Sequence, residues 1–149
     1  MGTSYLYNGL GLRTSTSTTS SSATPTTTSA WDQVSAGSIP LNVNDTTTSS
    51  TGSSTTSYLY GDLLFGGTAP VEQITTSPSG TSVSFLVSNQ TGVQGVYSGN
   101  SGSLGATQEM AIYSLYGTQT LTSGSRVTPF GFQGSYSDAT GLIYLINRY

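Results

Sequence analysis

Apolar and polar positions alternate along most of this chain at the two-residue period of a strand, and no window repeats at the period of a helix. Ile39, Leu41 and Val43 alternate with Pro40, Asn42 and Asn44, and Val83, Phe85 and Val87 alternate with Ser82, Ser84 and Ser88. Each run predicts a half-buried strand with its apolar residues on the covered side. Pro25, Pro40, Pro70, Pro78 and Pro129, with many glycines, cut the chain into short strands at hairpin spacing. Near the C-terminus, Ser137–Gly141 carries short polar side chains and a glycine, as a chain reversal requires. The run Leu142 to Ile146 that follows is apolar on both faces, which predicts a strand covered on both sides by the rest of the chain or by a second copy. The fold class expected is all-β, an array of antiparallel hairpins with no significant helix.

A short motif recurs. Thr3-Ser4-Tyr5-Leu6-Tyr7 returns unchanged at Thr56-Ser57-Tyr58-Leu59-Tyr60, and Ile112-Tyr113-Ser114-Leu115-Tyr116-Gly117 is a looser relative. Each copy reads as a strand ending in a turn former, Asn8, Gly61 or Gly117. Tyr5 and Tyr7, like Tyr58 and Tyr60, share one strand face, which predicts tyrosine ladders between hairpins. Two stretches, Thr14 to Ser29 and Thr46 to Ser57, are almost wholly serine and threonine. They are expected as long hairpin arms or exposed edge strands of a single domain spanning 1–149, with disorder as the alternative.

Composition narrows the chemistry. Charged residues are 6% of the 149, the formal net charge is −3, and cysteine, histidine and lysine are absent. The three cations, Arg13, Arg126 and Arg148, argue against nucleic acid as a partner. Without cysteine there is neither a disulfide framework nor a thiolate metal site. General acid–base work falls to Asp32, Asp45, Asp62, Asp138, Glu72 and Glu109, each flanked by turn-forming neighbours, so they read as turn and cap residues and no catalytic residue is assigned. Serine nucleophiles lack a base. Asn42, Asn44 and Asp45 suggest a calcium loop, but the spaced acids and closing glutamate of such a loop are missing, so no metal or cofactor is expected.

No apolar run is long enough to span a membrane as a helix, and no secretory signal opens the sequence, which implies that any leader was cleaved or lies upstream. Serine and threonine make up about a third of the chain, far above ordinary usage, which reads either as strand surface with linkers or as an extracellular, glycan-bearing surface. Asn44-Asp45-Thr46 and Asn89-Gln90-Thr91 are N-glycosylation sequons, making Asn44 and Asn89 candidate sites.

The C-terminal block Pro129-Phe130-Gly131-Phe132-Gln133-Gly134-Ser135-Tyr136, leading through Thr140-Gly141-Leu142 to Arg148-Tyr149, resembles the end of the core of Rhs proteins, the YD-repeat family. Tyr5-Leu6-Tyr7-Asn8-Gly9-Leu10-Gly11-Leu12-Arg13 is similar to that family's Tyr-x-Tyr-Asp-x-x-Gly repeat, with asparagine for aspartate. The resemblance implies a sheet that curls into a partial shell or barrel, which in bacterial relatives encloses a toxic domain. It leads to a structural, non-enzymatic protein, extracellular or at the cell surface, that self-associates head to tail into a fibre or wall. The strands around Tyr5 and Tyr7, and around Leu142, Tyr144 and Ile146, are its expected contact elements. Two alternatives stay open: a fragment of a toxin-encapsulating shell whose partner is the rest of that shell, and an adhesin that binds glycans through Trp31 and exposed tyrosines.

Overall fold

The alternating runs become twelve strands in a computed structural model, which describes residues 2–20, 24–32, 40–61, 69–100, 103–138 and 140–144. They are β1 (Gly2–Tyr7), β2 (Arg13–Thr19), β3 (Thr26–Asp32), β4 (Leu41–Ser49), β5 (Gly52–Leu59), β6 (Glu72–Ser77), β7 (Gly80–Asn89), β8 (Gly92–Asn100), β9 (Ser103–Tyr113), β10 (Gln119–Gly124), β11 (Tyr136–Ser137) and β12 (Ile143–Tyr144). The first ten form one antiparallel sheet in chain order, while β11 and β12 pair separately. None of the described residues is helical. The sheet is open: β1 and β10 are its terminal strands, so the barrel form of the hairpin array is corrected. Closure would require the first strand to pair with the last.

Two kinds of turn fold this meander. In the first, one residue accepts hydrogen bonds through its side chain from the amides two and four positions ahead, and a glycine three positions ahead takes positive φ. Asn8 accepts from Leu10 and Leu12 (both 3.0 Å), Ser114 Oγ from Tyr116 and Thr118 (3.3 and 3.1 Å), and Asp138 Oδ1 from Thr140 and Leu142 (2.9 and 3.1 Å). The glycines are Gly11, Gly117 and Gly141, at φ of 76°, 84° and 84°. This is a tight turn closed by one left-handed residue, where glycine lacks the Cβ that penalises the conformation.

The second kind joins β4 to β5, β6 to β7 and β7 to β8 through Ser49-Ser50-Thr51-Gly52, Ser77-Pro78-Ser79-Gly80 and Asn89-Gln90-Thr91-Gly92. Its first side chain hydrogen-bonds its third: Ser49 Oγ to Thr51 Oγ1 (2.9 Å), Ser77 Oγ to Ser79 Oγ (2.8 Å) and Thr91 Oγ1 to Asn89 Oδ1 (2.7 Å). The first kind of turn follows the first and third copies of the tyrosine motif, with Asn8 and Ser114 as acceptors three residues before Gly11 and Gly117.

Packing divides the chain into two compact units, Met1–Tyr58 with Ile74–Thr81, and Leu59–Gln73 with Ser82–Tyr149. The serine and threonine stretches lie in the first. They form β2 to β5, which are inner strands with a neighbour on each side. Their hydroxyls pair across strands: Ser17 with Thr26 (2.9 Å), Thr27 with Thr47 (2.8 Å), Thr46 with Thr55 (3.1 Å) and Thr56 with Thr75 (3.0 Å). β-Branched threonine suits the pleat, and each hydroxyl contact supplies what apolar burial does not. Leu12, Leu41 and Tyr58 are the small apolar core of this unit.

In the second unit the core is Leu86, Val93, Val96, Ala111, Phe130 and Tyr144. Here β7 departs from expectation. Ser84 and Leu86 point inward, whereas Val87 is exposed and Val83 and Phe85 are only half-buried. Val83 and Phe85 pack instead on the other face, where a Cβ on Gly99 would meet them at 2.9 and 3.2 Å.

Candidate functional site

Of the described acids, Asp138 keeps the turn-and-cap reading, Asp32 and Glu72 stand at the ends of β3 and β6, and Asp45 and Glu109 are buried within strands. Asp45 lies within β4, 6% exposed, and its carboxylate accepts hydrogen bonds from Ser29 Oγ (2.6 Å), Asn42 Nδ2 (2.9 Å) and Tyr58 OH (2.9 Å). Glu109 lies within β9, 2% exposed, and accepts from Gln119 Nε2 (2.9 Å) and the amides of Val127 (2.8 Å) and Thr128 (3.4 Å). The donors named are all neutral, and a buried carboxylate is tolerated where such donors satisfy its oxygens. The chemistry of both sites is architectural: each acid ties together strands or segments distant in sequence. Asn42 and Asp45, considered above for calcium, satisfy each other within the sheet. Asp62 lies outside the described residues.

Beside Glu109, Tyr113 donates its phenol proton to Val93 O (2.6 Å) and packs on Phe132 with ring centroids 6.0 Å apart. Burial, reinforced by the Glu109 charge and opposed by Arg126, pushes its phenol up to about 12. The chain after β10 is fastened to this face. Val93 N–H bonds Gly131 O (3.2 Å), and Gln133 N–H bonds Thr91 O (2.9 Å). Phe130 stands edge-on to both Tyr60 and Tyr136, at 6.4 and 5.7 Å. Arg126 clamps the outside of the loop, with Nε on Thr128 O (3.1 Å) and Nη2 on Pro129 O and Ser137 O (3.1 and 3.3 Å). The Pro-Phe-Gly-Phe block is thus a latch whose aromatic rings, backbone and arginine clamp hold one another.

The self-association residues divide between the two units. Tyr5 and Tyr7 sit on β1, a terminal strand, where the Arg13 guanidinium lies 5.6 Å from the Tyr5 ring centroid and Tyr7 is 42% exposed. Leu142 and Tyr144 flank and enter β12, but the strand is not covered on both sides. Tyr144 is buried, Leu142 is 61% exposed and Ile143 is exposed as well. It pairs with the two-residue strand β11, Tyr136 opposite Tyr144 and Ser137 opposite Ile143. Ile146 lies outside the described residues. Tyr58 is the buried donor to Asp45 and Tyr60 faces Phe130, so both serve the interior of their units, whatever else the tyrosines stack on.

Asn44 and Asn89 differ sharply. Asn44 is half-buried within the inner strand β4, and its Nδ2 donates to Ser57 Oγ (3.1 Å). Asn89 is exposed at the β7–β8 turn. Trp31 is half-buried, with Nε1 donating to Arg13 O (2.8 Å), and does not present an open platform.

The sequence reading missed the second terminal strand. Among the described residues β10 pairs only with β9, in register from Gln119 opposite Tyr113 to Gly124 opposite Glu109, with a bulge between Leu121 and Ser123. Its signal was present in the alternation from Thr118 to Ser123 between two glycines. At the turn leading into it, Leu115 and Tyr116 are 93% and 94% exposed. Compared with protein-family models and with curated proteins, the chain finds no match.

Proposed function

We propose that this is a structural, non-enzymatic protein that works outside the cell by adding strands of other copies to its own sheet edges, building a fibre or wall. One observation carries this reading: both terminal strands of the sheet lack two of the usual guards against edge pairing, charge and proline. β1 (Gly2–Tyr7) and β10 (Gln119–Gly124) contain no charge and no proline. β1 is the stronger edge. Its only irregularity lies at the far end, between Leu6 and Tyr7, so Gly2 to Leu6 is a regular ribbon, and Leu6 is 65% exposed. A regular terminal strand of this kind is a template for another strand.

Negative-stain microscopy of concentrated protein tests the proposal. Wild type is expected to form extended assemblies, and Leu6→Lys, which places a charge on the edge, is expected to disperse them. Wild-type particles that stay single at high concentration would contradict it.

A second reading, a wall segment of an Rhs-like shell, is favoured by the recurring turn in which Asn8, Ser114 or Asp138 accepts and a glycine follows three residues later. That spacing of acceptor and glycine matches the Asp-x-x-Gly of the repeat that the sequence resembles. In this reading the β1 edge pairs within a longer polypeptide, so closed particles of one size in the micrographs, in place of open-ended fibres, would favour it.

A further inference from the structure

The two sequons offer a choice that local structure decides, independently of the self-association reading. At Asn44 the amide nitrogen is engaged with Ser57 and hemmed between β3 and β5. At Asn89 the surroundings are open. Asn89, Gln90 and Thr91 are all exposed, and the side-chain oxygen of Asn89 accepts from Thr91 N–H (2.8 Å) and from Thr91 Oγ1 (2.7 Å). The hydroxyl thereby draws electron density from the amide, and Nδ2 is left without a hydrogen-bond partner among the described residues. From behind, the turn is anchored by the bonds from Gln133 N to Thr91 O and from Val93 N to Gly131 O, so the asparagine side chain is presented outward on a fixed backbone.

We propose that Asn89 is an N-glycan acceptor and that Asn44 is not. The donor class is an oligosaccharide linked through a diphosphate to a lipid. Asn89 Nδ2 bonds to the anomeric carbon, the carbon–oxygen bond to the diphosphate breaks with its electron pair leaving on the diphosphate, and one amide proton is released. A glycan here would project from a hairpin tip, away from the ladder hydrogen bonds of β7 and β8.

The test is expression of the full chain behind a cleavable leader in a eukaryotic secretory host, with peptide mass mapping and treatment with a glycan-releasing amidase. The expected result is a single amidase-sensitive mass step, retained in Asn44→Gln and Thr91→Ser and lost in Asn89→Gln and Thr91→Val. The two loss variants act at different residues, so misfolding of one leaves the other to decide. An unmodified Asn89 peptide in the wild-type chain, or a glycan that follows Asn44, would overturn the proposal.

Discussion

At the scale of single residues, the two acids buried within strands, Asp45 and Glu109, contribute more than their number suggests. Glu109→Ala would leave the amides of Val127 and Thr128 and the Gln119 amide without their acceptor. A loss of about 3 kcal/mol of unfolding free energy is expected, measurable by urea titration, with Glu109→Gln losing less because one oxygen acceptor survives. Tyr113 provides a pH test. Its phenol is raised from 10.0 to about 12 in the folded chain, so the neutral form is favoured by folding. That contribution is complete below pH 10 and is lost as pH climbs through 12. Tyr113→Phe should flatten the alkaline fall in stability over this window, and at neutral pH cost about 1 kcal/mol for the bond to Val93 O, both read from denaturation across pH. The sequence told little of this. Neighbouring residues identify Asp138 as a turn former, but nothing near Asp45 shows that Ser29 stands opposite it and Tyr58 two positions along the next strand. Those partnerships are fixed by register, a long-range property.

Among the elements, turns and strands were legible and faces were not. Alternation fixes that β7 is a strand but leaves open which of its two faces is covered. A one-residue offset exchanges them, and β7 buries Ser84 and Leu86 because Ser84 finds Gln108 Oε1 at 2.7 Å while Val83 and Phe85 find Gly99. The serine and threonine stretches were hard to place for a related reason: apolar content says little of them, whereas their strands are joined through cross-strand hydroxyl pairs. The turns yield sharper expectations. Gly117→Ala would both strain a φ of 84° and drive a Cβ to 2.9 Å from the Phe132 ring, loosening the latch by about 1–3 kcal/mol. Gly92→Ala is expected to be worse, because its Cβ would overlap the backbone oxygen of Gly131, an atom that cannot move without breaking the bond to Val93 N. Hydrogen exchange at Val93 and Gln133 would report both losses as faster exchange than in wild type.

For the molecule as a whole, what matters is that the sheet has ends. The repeated strands implied an array of hairpins, and the array is present, but the first tyrosine motif lies on a terminal strand while the second gives Tyr58 to Asp45 and Tyr60 to Phe130. Identical sequences thus received different roles from their positions in strand order, which a single chain read linearly does not reveal. With six acids, three arginines and none of them on β1 or β10, association by these edges rests on backbone pairing and apolar contact, so it should change little between low and high salt. The most direct measurement is sedimentation velocity of the full chain over a wide concentration range, with Leu6→Lys alongside. Edge addition predicts a weight-average sedimentation coefficient that rises steadily with concentration for wild type and stays near the single-chain value for the variant. A concentration-independent single-chain boundary for both would contradict the account.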